Sequence, residues 1–413
     1  MKKHIIAFLS IIVLIINISF SASATTVSKG SSDIDNLSIK STDSCFNLIL
    51  EQNSSYEITN TSKDSMNINI TSITKNYNII IYDNSGKIID SKYSTTDAII
   101  INSGQKVRVS STGTNVTIAV PNQLKASVKT IKAPVFYTLA VRDNEYYVLD
   151  NTTGMHLKFP TNTTYESTVK YDKVSYDESG VLREAIKNSF CDVFVGNKTK
   201  IRIGKSGIGD LNVYLPYEYS DICTKVNIPV FDTLIVKQGE YYEFNNTTSN
   251  ILPIFNEGSF ANGKSYDKIV YDPVGNMFET YKDYLGTERL QVGYKMRIGV
   301  NTPDTEEFYI PYEYKNLYKK LSEPIFKEKI LKKGEAFQIK NTTDYVVSIT
   351  NSLQFSNGYY TSIVYDKAGN KISEIKNDYG TLKLNPGEWV NITLSEGEKL
   401  AFYIPSEIHI IEI

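Results

Sequence analysis

The chain has 413 residues and a formal net charge of −2 at pH 7. A weakly acidic chain lacks the clustered cations that nucleic-acid backbones reward, so nucleic acid is excluded as a partner. Lys, Asn, Ile and Tyr are abundant, a bias that suggests a low-GC Gram-positive bacterium.

The first predicted element is a leader at 1–24. Lys2 and Lys3 precede an apolar run from Ile5 to Ile18, and a small-residue stretch ends at Ala24. That order describes a cleavable secretory signal peptide. The run is too short to favour a membrane anchor. Cleavage takes the formal charge from −2 to −4 by removing two lysines. No later stretch is apolar enough to span a bilayer, so the mature protein is expected to be secreted, with retention at the cell surface left open. Residues 25–44 are polar and aperiodic, the pattern of a disordered linker.

Four modules follow, and one motif measures them. Tyr-Asp-x-x-Gly occurs at Tyr82, Tyr176, Tyr271 and Tyr365, at intervals of 94, 95 and 94 residues. Asn-Thr-Thr or Asn-Thr-Ser recurs at Asn60, Asn151, Asn246 and Asn341, and a late proline at Pro121, Pro216, Pro311 and Pro405. An early Pro-(Val/Ile)-Phe opens the last three copies at Pro134, Pro229 and Pro324, where the first copy has Cys45-Phe46. The boundaries are module 1 at 45–124 (the most diverged), module 2 at 133–222, module 3 at 228–318 and module 4 at 323–413. The late proline always precedes the next early proline by 13 residues. A constant joint implies docked neighbours, because flexible tethers tolerate length changes cheaply. The expectation is an elongated array.

Within each module the pattern is β. Short β-branched and aromatic runs, such as Leu234-Ile235-Val236 and Ile269-Val270-Tyr271, are separated by Gly, Asn, Asp and Pro. The fold class is therefore all-β, with four tandem antiparallel β-sandwiches of about 90–95 residues, since short strands at such spacing suit a sandwich. The stretch from Asp177 to Asn188 could form a helical turn, although its counterparts are strand-like.

In Tyr-Asp-x-x-Gly, Asp can accept a backbone N–H two residues on, and Gly can supply the positive φ that closes a hairpin. A calcium ligand is the alternative, but no acidic cluster recurs beside the turn, and calcium needs six to eight oxygens. Asn-Thr-Thr is expected to form a polar turn that caps backbone amides. Late in each module a strand presents Lys-x-Arg: Lys106 and Arg108, Lys200 and Arg202, Lys295 and Arg297. Module 4 has Trp389 and Asn391 there. Alternation sends these eight residues to the solvent face. They are the candidate ligand-binding residues, as a basic stripe for an anionic polymer with Trp389 as a sugar platform. The alternative is a solvated face whose charges prevent edge pairing. Pro216-Tyr217-Glu218-Tyr219 and Pro311-Tyr312-Glu313-Tyr314 stand at module ends, which favours packing at joints.

The three cysteines are Cys45, Cys191 and Cys223; only the last two share a module, so a disulfide between them is a candidate. His156 and His409 lie in different modules after the leader, without metal-ligand spacing. No nucleophile elbow, phosphate loop or zinc motif is present. An enzyme, a cofactor and a metal site are accordingly not expected.

The order of strands and turns, with Gly239-Glu240-Tyr241-Tyr242 and Gly334-Glu335-Ala336-Phe337 as openings, resembles bacterial extracellular β-sandwich repeats of the immunoglobulin-like or pre-peptidase C-terminal-like kind. The resemblance implies an accessory role in attachment to cell-wall polymer, polysaccharide or host matrix protein, as an adhesin-like binding scaffold. Two alternatives stay open: a structural spacer or self-associating subunit, and a secreted toxin or toxin-accessory component.

Overall fold

The structure, a computed structural model, describes residues 44–412 apart from 72–75, 257–264, 301–304 and 353–358. The expected signal peptide and all but the last residue of the expected linker lie outside the described residues. The described residues fold as β-strands joined by turns and short 3-10 segments.

Module 1 sets the pattern with β1 (Cys45–Leu50), β2 (Ser55–Thr59), β3 (Met66–Ile70), β4 (Tyr77–Tyr82), β5 (Ile88–Thr95), β6 (Ile99–Ile101), β7 (Lys106–Ser111), β8 (Val116–Pro121) and β9 (Lys129–Ile131). One sheet has the order β5-β4-β7-β2-β9 and the other β1-β8-β3-β6. Every pairing is antiparallel. Modules 3 and 4 repeat both sheets; module 2 repeats the five-stranded one and splits the other into two ladders, with Thr161 bridged to Val213. Alternation explains the sandwich. Val107 and Val109 point inward and share one core with Ile68 and Ile118 of the opposite sheet. The segment from Asp177 to Asn188 contains no helical turn: Leu182–Ser189 is a strand, paired across the hairpin with Val169–Tyr176.

A second tyrosine also repeats with the period of the module. Tyr77, Tyr171, Tyr266 and Tyr360 are fully buried at the centre of the four cores. Their hydroxyls donate to the carbonyls of Asp97, Asp192, Gly286 and Gly380. A buried ring thus keeps its polar tip satisfied.

The asparagine of each Asn-Thr-Thr or Asn-Thr-Ser is completely buried. Asn246 Nδ2 donates to the carbonyls of Asn250 (2.7 Å) and Leu290 (2.8 Å), while its Oδ1 accepts the Thr248 N–H at 3.1 Å. The motif clamps one turn to the facing strand. The Tyr-Asp-x-x-Gly turn closes a bulged hairpin. Asp83 Oδ1 accepts the N–H groups of Ser85 and Lys87, both at 2.9 Å. Gly86, Gly180, Gly275 and Gly369 have φ of 80–95°, a region that favours glycine.

The constant joint has a structural cause. After Pro121 the chain makes a 3-10 segment (Asn122–Ser127), and β9 then returns to pair with β2 of its own module. Cys223–Val226 and Tyr318–Leu321 do the same. These strands carry each sandwich past 124, 222 and 318, so the tether is itself part of a sheet and has little freedom in length.

The Cys191–Cys223 disulfide is not formed; Cys45, Cys191 and Cys223 are free thiols. Cys223 begins the edge strand of the five-stranded sheet, whereas Cys191 precedes Val193–Val195 in the opposite layer. Burial pushes the Cys223 thiol up to about 11.

Candidate functional site

The outer face of each five-stranded sheet carries the candidate residues, and in modules 1 to 3 the next module covers it. Joint 1 lies between modules 1 and 2, joint 2 between modules 2 and 3, and joint 3 between modules 3 and 4. Each is built from the same parts. The covering module supplies a glutamate from the turn after its late proline: Glu218, Glu313 or Glu407. The covered module supplies the tyrosine of Tyr-Asp-x-x-Gly and the arginine of Lys-x-Arg.

In joint 1, Tyr82 donates to Glu218 Oε1, and Arg108 Nη1 to Glu218 Oε2 at 3.2 Å. In joint 2, Arg202 grips both Glu313 oxygens, with Nη2 to Oε2 at 2.9 Å, and Tyr176 donates to the same carboxylate. In joint 3, Tyr271 donates to Glu407 Oε1 at 2.6 Å and Arg297 Nη1 reaches both oxygens at 3.3 Å. Such charge-assisted pairs are stronger than neutral hydrogen bonds, and they fix orientation.

An apolar collar surrounds each pair. Val135 and Phe136 pack on Ile80 and Tyr82. Val230 and Phe231 pack on Val174, while Ile325 and Phe326 join Ile269 and Tyr271. The residues opposite Ile80, Val174 and Ile269 in the hairpin are Ser91, Ala185 and Thr280, small enough to be covered. Tyr93 stacks on Tyr214 in joint 1; Lys187 and Lys282 lie over Tyr309 and Tyr403 in joints 2 and 3.

The two ends of the array depart from this set. Among the described residues no module covers this face in module 4, and Ile363, Tyr365 and Trp389 are half-buried. Trp389 stacks on Tyr365 with ring centroids 3.9 Å apart and planes 12° from parallel. Gln338 Nε2 donates to Asn391 Oδ1 at 3.1 Å, a neutral pair where modules 1 and 3 have Glu–Arg. The small hairpin residue has become Glu374. Module 1, at the other end, has Cys45 in place of the buried phenylalanine, Ala119 in place of the tyrosine and Gln123 in place of the glutamate.

The eight candidate residues therefore occupy equivalent positions but do not form one continuous stripe. Arg108, Arg202 and Arg297 are committed to joints. Lys106 pairs with Glu57 at 3.2 Å and Lys200 with Asp150 at 2.9 Å, while Lys295 is exposed. Trp389 and Asn391 share the module 4 face, which no neighbour covers among the described residues. Sequence reasoning missed the role of the glutamates. The signal was a further repeat, Pro-x-Glu at 216–218, 311–313 and 405–407, which reads Pro-Asn-Gln at 121–123.

Joint 2 is expected to be sensitive to acid. Burial raises the Glu313 pKa, but Arg202 and Tyr176 outweigh it and hold the carboxyl below its ordinary 4.5. A carboxylate depressed on folding contributes stability that is present above its unfolded pKa and lost as pH falls through the folded one. Joint 2 is thus expected to weaken below about pH 4.5, the unfolded value. Thermal unfolding of the natural chain and Glu313→Gln across pH 3–7 checks this. Their difference should shrink towards the acid end, and a constant difference would contradict it.

No helix of the described residues is long and apolar enough to cross a membrane. No protein-family model and no curated protein matches this chain.

Proposed function

We propose that this chain is a secreted, non-enzymatic binding scaffold that attaches to cell-wall polymer, polysaccharide or host matrix, in the manner of an adhesin. One observation carries the reading: the sheet face that a neighbour seals three times has no covering module among the described residues in module 4, where it carries Trp389 stacked on Tyr365 beside an amide pair. An aromatic surface flanked by a few oriented polar groups is the usual make-up of a ligand site. The extracellular β-sandwich resemblance supports the same class of role, and the fixed joints would hold the terminal face at a set distance from module 1.

A second reading, a structural spacer, is favoured by the threefold repetition of the joint. Growth of a filament by the same joint is disfavoured by the end residues. A second copy docking on module 4 would bury Glu374 and find Asn391 instead of arginine, and it would offer Gln123, Ala119 and Cys45 in place of its own half of the contact.

Retention of the mature protein on the producer's cell walls and on host matrix tests the binding reading. Trp389→Ala should reduce retention several-fold, because one aromatic platform contributes about 1 kcal/mol or more. Unchanged retention would remove the terminal face from the proposal, and no retention of the natural chain on either surface would leave the spacer. Replacing Lys200, Arg202, Lys295 and Arg297 together is not a clean test, since two of the four hold joints.

A further inference from the structure

Joint 2 lacks a carboxylate that its two sisters share. In joint 1, Glu57 stands opposite Arg108, and its carboxylate accepts from Arg108 Nε at 3.1 Å and from Lys106 at 3.2 Å. In joint 3, Glu243 stands opposite Arg297, and its carboxylate accepts from Nε at 2.9 Å and from Lys319 at 3.0 Å. The residue opposite Arg202 is Val148. The fork of Arg202 is used by Glu313 and the carbonyl of Val230, but its Nε is buried with no protein partner. Arg202 is only 6% exposed. A buried donor left without an acceptor is costly and uncommon in native proteins.

Where the missing carboxylate would sit there is a cavity of about 480 Å³, lined by Val148, Tyr176, Lys200, Arg202, Glu313 and the turn at 177–180. Its acidic groups are already matched: Glu313 by Arg202, Glu178 by Lys198 and Asp177 by Arg183. Lys200 is half-exposed on its pair with Asp150, so its ammonium can reach an incoming anion. The valine side chain and the Tyr176 ring supply an apolar wall.

We propose that joint 2 holds a binding site for the carboxylate of an acidic saccharide. The carboxylate takes the place that Glu57 and Glu243 fill in the sister joints, accepting from Arg202 Nε and Lys200 Nζ. The C–H face of the sugar ring lies on Val148 and Tyr176. The proposal rests on the polysaccharide-binding reading but places the site in joint 2, on residues other than Trp389 and its neighbours, so the two can fail separately.

Calorimetric titration of the full mature chain with a galacturonic acid oligomer tests it, alongside a neutral glucan oligomer and a peptide with a free terminal carboxylate. The uronate should bind, the glucan should not, and affinity should fall with added salt. Val148→Glu builds the sister carboxylate into the cavity, so it should weaken uronate binding at least tenfold while the thermal midpoint stays equal or rises. Lys200→Met, which touches no joint contact, should weaken binding several-fold and guards against a folding defect in the first variant. Absence of uronate binding by the natural chain, undiminished binding by Val148→Glu, or preference for the peptide would each overturn the proposal. Retention on walls that survives such a result would leave the Trp389 reading standing.

Discussion

Substitution of Glu313 by alanine is expected to cost about 3 kcal/mol and to release modules 2 and 3 from each other. The loss comes from what is left behind. Arg202 is 6% exposed, with its Nε already lacking a partner. Removing Glu313 strands that guanidinium in the collar formed by Val174, Val230 and Phe231. Breaking a buried pair from one side costs about 3–5 kcal/mol. Glu313 is itself 38% exposed, so water screens part of the attraction and the lower end applies. Lys198→Ala, which breaks an exposed pair with Glu178, should cost under about 1 kcal/mol and serves as the control. Urea unfolding with limited proteolysis across 217–230 reads both effects. A midpoint and a cleavage rate equal to those of the natural chain would show that the joint contributes nothing.

The second large effect belongs to the buried asparagines. Asn151→Ala should lower the stability of module 2 by roughly 3 kcal/mol. Asn151 Nδ2 donates to Met155 O at 2.6 Å and Gly196 O at 2.8 Å, and its Oδ1 accepts from the Thr153 N–H at 3.1 Å. Alanine leaves these backbone groups without their partner, at about 1–3 kcal/mol for each one that water cannot reach. For a domain of this size the thermal midpoint should fall by on the order of 10 °C. Thr152→Ala, at the exposed middle position of the same motif, should move it little. A small effect for both would mean that the turn is held by its backbone alone.

These two expectations concern repeated motifs whose function in the fold was only partly visible beforehand. The Tyr-Asp-x-x-Gly turn was legible because its chemistry is local: Asp83 bonds to residues two and four positions away, and Gly86 has the φ that glycine tolerates. Asn-Thr-Thr was legible as a cap for the same reason, but its second half was not. The bond from Asn246 to Leu290 O spans 44 residues, and nothing near the motif announces it. The buried tyrosines Tyr77, Tyr171, Tyr266 and Tyr360 keep the period of the module, yet in a chain with 30 tyrosines the composition masks them.

The candidate site was legible in position and not in use. Strand alternation placed Arg108, Arg202 and Arg297 on the outer face, where they are. Both readings offered for that face, a solvated surface and a basic stripe, assumed that it meets water or ligand. It meets the next module, because Glu218, Glu313 and Glu407 arrive from about 110 residues further along the chain. The fixed interval between prolines already required some docked joint, and the Pro-Tyr-Glu-Tyr ends were correctly assigned to it. Pairing one with the other needed coordinates. The Cys191–Cys223 bridge failed for a related reason, since nearness within one module says nothing about which layer of the sandwich a cysteine joins.

Taken by itself, the sequence determined the all-β class, the four copies, the hairpin turns and the constancy of the joints, because strand alternation, turn chemistry and spacing are properties of neighbouring residues. The tertiary structure decided which outward faces are covered, that the arginines are joint residues, that Arg202 lacks the carboxylate its sisters have, and that among the described residues no module covers the face of module 4. Those facts depend on contacts between strands and modules far apart in the chain, where the free energy of a charge is set by what packs over it and not by the residues beside it.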